Sequence, residues 1–252
     1  MAISLEKVAQ HAPELVEQYK KTTICLDKVN LRGHVARVVC VLDISGSMQN
    51  LYNSGKVGEL VKKALALGLQ FDDDGAIDVF AFGVDAHYVG EFGMANYKDC
   101  VSQTLNRFGY EGGTRYAEPL RLIEQKYGDS KLPVYVMFIT DGETSEKEKV
   151  IRQMISLSKT PCFIQCMGLG EDVFPADGAK PEKKKGFFSS MFSGETRFEF
   201  LRSLDNLAGR AVDNANFFAV KDPAQIDDEK LYSLLMGEYP TWLPEAKRLG
   251  LL

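Results

Sequence analysis

The stretch Arg37–Met48, RVVCVLDISGSM, limits the possible folds of this chain more than any other. It opens as an unbroken apolar run, Val38-Val39-Cys40-Val41-Leu42, rich in β-branched side chains. Such a run reads as a strand buried on both faces, usually within a parallel sheet. It closes on Asp43-Ile44-Ser45-Gly46-Ser47, a carboxylate followed by two hydroxyls at alternate positions. A polar cluster at that point lies at the carboxyl edge of the sheet, where open α/β folds bind ligands. Gly46 permits the turn that brings the three oxygen-bearing side chains together, and oxygen donors suit a hard cation such as Mg2+.

The rest of the chain repeats the strand-then-helix rhythm. Strands are expected at Ala76–Gly83, Pro133–Thr140, Pro161–Leu169 and Asn216–Val220, with His87–Phe92 as an edge strand hairpinned to the first of these. Helical spacing marks residues 3–21, Ser54–Phe71, Tyr97–Phe108, Tyr116–Tyr127, Ser145–Ser158, Phe198–Leu207 and Pro223–Met236. Pro13 predicts a kink or two short helices in the first of these, and Thr22–Leu31 reads as an added edge strand. The alternation implies an α/β fold: a doubly wound, mainly parallel central sheet with one antiparallel edge strand and helices on both faces. The expected organisation is an N-terminal helical extension over 1–34, a domain over 35–237 with an insertion at 174–195, and a C-terminal tail over 238–252 packed against the domain.

The pentapeptide gains meaning from two other loops. Thr114 stands in Glu111-Gly112-Gly113-Thr114, and Asp141 follows the apolar run Val134–Thr140 and precedes Gly142. Asp-x-Ser-x-Ser, then a Gly-Gly-Thr loop, then a strand ending in Thr-Asp-Gly resembles the metal-ion-dependent adhesion site (MIDAS) of von Willebrand factor A (vWA) domains. Within that superfamily, Phe71–Gly83 and Leu201–Phe218 resemble the bacterial branch found in TerF-type tellurium-resistance proteins. The resemblance implies that Ser45, Ser47 and Thr114 bind a metal directly while Asp43 and Asp141 act largely through waters. The implied cofactor is Mg2+, with Mn2+ or Ca2+ as alternatives. The implied partner is a protein presenting an Asp or Glu carboxylate, TerD-like proteins among the candidates, and the implied setting is tellurite or related chemical stress.

Composition narrows the alternatives. A formal net charge of −5 argues against a general nucleic-acid or anionic-membrane binder. No stretch approaches the ~20 apolar residues of a membrane helix, and Glu6 and Lys7 precede any long apolar run, so a cytoplasmic protein without a secretory signal is expected. Five cysteines without a Cys-x-x-Cys pair point to reduced thiols and to no structural zinc. Catalysis is not expected. His11, His34 and His87 lie in segments away from the three loops, and the nucleophile-elbow and phosphate-loop patterns are missing. Glu111 and Glu143 are close enough in sequence to be proposed as a base. The competing readings are a Mg-dependent phosphohydrolase and a scaffold acting through Lys180–Phe192, where a lysine run meets Phe187, Phe188, Met191 and Phe192.

Overall fold

The computed structural model describes residues 3–71, 75–171, 173 and 198–252. Residues 72–74 and the 174–195 insertion, with its lysine–aromatic run, lie outside the described residues. The strands are β1 (Arg37–Asp43), β2 (Ala76–Phe82), β3 (Ala86–Gly93), β4 (Val134–Thr140), β5 (Cys162–Leu169) and β6 (Ala215–Val220). They form one sheet in the order β3-β2-β1-β4-β5-β6. All neighbours are parallel except β2 and β3, which form the antiparallel edge hairpin. This is the doubly wound sheet that the alternation of elements predicts.

Period-2 alternation along the strands divides the core in two. Val38, Cys40 and Leu42 of β1 join one cluster with α1 (Leu5–His11), α2 (Val16–Lys28), α4 (Lys56–Phe71), α9 (Asp228–Leu235) and α10 (Tyr239–Arg248). Val39 and Val41 join the other, under α6 (Ala117–Tyr127), α7 (Lys147–Leu157) and α8 (Glu199–Asp205). Two further helices, α3 (Gln49–Asn53) and α5 (Cys100–Phe108), flank the carboxyl edge of β1 and the edge hairpin. Every β1 residue from Val38 to Asp43 is buried, because the strand is covered on both faces and paired on both sides.

The N-terminal extension departs from expectation in one place. Thr22–Leu31 is not an edge strand; α2 continues to Lys28. Tyr19, Thr22, Cys25 and Leu26 form its buried face at helical spacing. The hydroxyls of Thr22 and Thr23 donate to the carbonyls of Gln18 and Tyr19, one turn back, which accommodates these β-branched residues in a helix. Pro13 does split the segment, opening a 3-10 turn over Pro13–Leu15 between α1 and α2.

Within the C-terminal tail, residues 239–248 form a helix. Tyr239, Trp242, Leu243 and Ala246 are its buried side. Tyr239 and Trp242 pack with Tyr135 and Phe163 on the sheet, and His34 pairs with the Tyr239 hydroxyl at 2.8 Å. Burial pushes the His34 imidazole down to about 4, so it sits neutral among these rings. Before it, α9 is tied down by Asp228, which pairs with Lys63 of α4 and Lys21 of α2, each at 2.8 Å.

All five cysteines are buried and free. Burial pushes the thiols of Cys100, Cys162 and Cys166 up to about 12 and raises those of Cys25 and Cys40 as well. Cys162 and Cys166 are packing residues of β5.

Glu238, at the start of α10, has its carboxyl raised from 4.5 to about 8 by burial and by the neighbouring Asp205 and Asp213. The folded chain therefore holds a proton that the unfolded chain releases, and this contribution to stability is full below pH 4.5 and lost as pH rises through about 8. Glu238→Gln keeps the neutral form at every pH. Its thermal midpoint should match the wild type in acid and exceed it above pH 8, as measured by circular dichroism melts across the range.

Candidate metal centre

At the carboxyl edge of the sheet the chain turns sharply after Asp43, whose side chain is fully buried. Its Oδ1 accepts from the Ser45 amide at 2.7 Å and its Oδ2 from the Thr140 hydroxyl at 2.5 Å. The Tyr52 hydroxyl donates to the Asp43 carbonyl at 2.9 Å. Burial pushes the Asp43 carboxyl up to about 6, against the hydrogen bonds from Ser45 and Thr140 that favour the carboxylate. A carboxyl desolvated in this way is one that a cation alongside would return to its charged form.

The hydroxyls of Ser45 and Ser47 stand 3.1 Å apart, and Ser47 donates to Asp141 Oδ1 at 2.7 Å. Asp43, Ser45 and Asp141 are buried, whereas Ser47 and Gly46 are exposed, so the cluster opens to solvent on one side. Two ligands at right angles on an ion with metal–oxygen bonds of about 2.1 Å are about 3 Å apart. The 3.1 Å separation of the Ser45 and Ser47 hydroxyls therefore fits two adjacent ligands of a small hard cation. Among the described residues no three His, Cys, Asp or Glu side chains converge to hold a metal, so any such ion here depends on hydroxyl donors.

Thr114 comes to this edge on the second loop, which is pinned on either side of it. The Glu111 amide donates to the Ile44 carbonyl at 2.9 Å, and the Glu111 carbonyl accepts from the Gly46 amide at 3.0 Å, joining the loop to the Ser45 turn. The Arg115 amide donates to the Gly83 carbonyl at 2.8 Å. Thr114, half-buried, lies between these anchors. The structure thus joins Asp43, Ser45, Ser47 and Asp141 through hydrogen bonds and brings the Thr114 loop against their turn.

Both glutamates considered as bases are engaged elsewhere. Glu143 accepts from the Phe200 amide and pairs with Lys147 at 2.9 Å. Glu111 accepts from the Asp85 amide at 2.8 Å and pairs with His87 Nε2 at 2.6 Å. Burial works to raise the Glu111 carboxyl, but the bonds from Asp85 and His87 outweigh it and hold it below the usual value. His87 is therefore not remote from the three loops, as its place on an edge strand suggests; it touches the second one. Two other partners escape a motif search: Tyr52, and Tyr116, whose hydroxyl donates to the Gly142 carbonyl and lies 3.3 Å from the Thr140 hydroxyl. Thr140, the first residue of the Thr-Asp-Gly motif, is the hydroxyl that closes the strand beside β1 and bonds Asp43.

Gly83, at the end of β2, faces Glu111. A Cβ at Gly83 would overlap the Glu111 Cβ and lie 2.8 Å from its Oε2. Gly83→Ala should therefore displace the second loop and lower stability by about 1–3 kcal/mol, read from urea unfolding.

The vWA-TerF-like family, described as the vWA found in the TerF C terminus, matches this chain over residues 35–176 and 181–252. The uncharacterized protein YcbR of Bacillus subtilis (strain 168) is 33% identical over 246 residues, spanning 93% of this chain and 88% of that protein. A von Willebrand factor A domain-containing protein of Dictyostelium discoideum is 32% identical over 139 residues, 53% of this chain but only 14% of that one. Among solved structures, an aerotolerance-related membrane protein from Bacteroides fragilis NCTC 9343, with multiple mutations to serines, has a TM-score of 0.51 at 17% identity, covering 82% of this chain and 99% of that one. At that identity the likeness is one of fold. No helix among the described residues is long and apolar enough to cross a membrane. With the family matched over most of its length and the Bacillus protein a third identical across nearly all of it, this chain belongs to the vWA-TerF-like family.

Proposed function

We propose that this protein is a non-catalytic, metal-dependent protein-binding module of the cytoplasm. In this reading Ser45, Ser47 and Thr114 hold a divalent cation, Mg2+ by preference, while Asp43 and Asp141 support it largely through waters. The observation that carries the reading is the continuous hydrogen-bonded set Asp43–Ser45–Ser47–Asp141, open to solvent at Ser47, in a chain of the vWA-TerF-like family.

The chemistry follows from the donors. Hydroxyls are neutral, so they leave much of a dication's charge uncompensated on the exposed side. A bound cation would supply an electrophilic coordination position there, suited to an Asp or Glu carboxylate of a partner. The chain's own residues have the simpler tasks of fixing the hydroxyls and burying the supporting carboxylate. The engagement of Glu111 and Glu143 in other contacts supports a binding role over a hydrolytic one. A role in tellurite or related chemical stress, with TerD-like proteins among the partners, is the biological setting we infer from the family.

Titration calorimetry of the metal-stripped protein should register Mg2+ or Mn2+ binding that Asp43→Ala abolishes. Equal binding in that variant rejects the site. In affinity capture followed by mass spectrometry, the partner should be retained with Mg2+ and lost both with EDTA and with Asp43→Ala. Retention under either condition rejects the metal-dependent mode, and EDTA-sensitive turnover of phosphate esters would favour a phosphohydrolase instead.

A further inference from the structure

We propose that His87 and Glu111 act as a positioning pair for the candidate metal centre, fixing the Thr114 loop to the edge hairpin so that its hydroxyl is presented in place. The inference rests on the metal-binding reading above and assigns that site two residues outside its motif.

Glu111 is the residue on which several elements meet. Its main chain bonds Ile44 and Gly46 in the first loop. Its side chain bonds the corner between β2 and β3, through the Asp85 amide and His87 Nε2. The other side of the Thr114 loop returns to the same corner, where the Arg115 amide meets the Gly83 carbonyl. Thr114 is thus bracketed by two attachments to the stretch Gly83–His87. The His87 ring also stacks on Phe108, with centroids 4.1 Å apart and planes inclined by 13°. Phe108 ends α5, and Gly109, at φ +69°, turns the chain from that helix into the loop. His87 therefore contacts both the helix that enters the loop and the carboxylate inside it.

The arrangement matters because the ligands are weak. A neutral hydroxyl binds a cation strongly only when it is already held in place, since no charge draws it there. Partners outside the coordinating set commonly govern metal affinity for this reason. His87 and Glu111 are suited to such a role: their side chains are 23% and 16% exposed, sheltered enough to stay paired.

The test has two readings. Mn2+ affinity is measured by calorimetry, and exchange of the Gly46 and Arg115 amides is followed by NMR in the metal-free protein. His87→Ala and His87→Phe, the second of which keeps a ring against Phe108, should each weaken Mn2+ binding about 10-fold and speed exchange of both amides. His87→Gln, which still offers an amide hydrogen to Glu111, should return both readings toward the wild type. The proposal is overturned if His87→Phe retains wild-type exchange, if affinity is unchanged where the wild type binds Mn2+, or if His87→Gln recovers neither. Should the wild type bind no Mn2+, the metal reading fails on its own, and amide exchange still decides whether the pair holds the loop.

Discussion

The structure turns on the burial of one carboxylate at the end of the central strand. Asp43 sits where a chain paired on both sides must stop and reverse, and every oxygen it carries is claimed: Oδ1 by Ser45, Oδ2 by Thr140, the carbonyl by Tyr52. An unpaired carboxylate at this depth would be costly, so these three bonds together set the geometry of the turn. Strand β4 supplies Thr140 and then Asp141 because it runs parallel to β1 in adjacent register, Leu42 beside Ile139. The hydroxyl cluster is thus a product of sheet register, and a shift of one residue between β1 and β4 would dismantle it.

The two edges of the sheet have different tasks. At the carboxyl edge, short polar loops gather hydroxyls beneath solvent. At the amino edge, His34, Tyr135, Phe163, Tyr239 and Trp242 lock the last helix over the sheet with aromatic packing. The Asp228 pairs with Lys21 and Lys63 add a fixed point between them on the same face. The amino side is held by aromatic packing, while the loops of the carboxyl side are built from polar groups.

Much of this was legible in the residues. Buried apolar runs marked β1, β4 and β5 because strands covered on both faces admit few polar side chains, and the order of elements gave the doubly wound sheet. The motif residues were readable because turn chemistry and oxygen donors coincide at Asp43–Ser47. What was hidden depended on distant pairing. Thr22–Leu31 carries β-branched residues that suggest a strand, yet the backward hydrogen bonds of its threonines and the packing of Cys25 and Leu26 make it helical as far as Lys28. His87 looked like an ordinary edge residue because Glu111, its partner, lies 24 positions away. The helix over 239–248 was obscured by Pro240 and Pro244; the first is tolerated in the opening turn, and buried Tyr239, Trp242 and Leu243 hold the second in place.

The burial of all five sulfur atoms has a consequence for the conditions this domain can withstand. Thiolates, not thiols, react with oxidants and soft electrophiles, and here each sulfur is both walled off and kept protonated. Peroxide or a shift in glutathione balance would therefore meet no exposed thiolate on this domain, and its cysteines act as packing atoms rather than as redox groups.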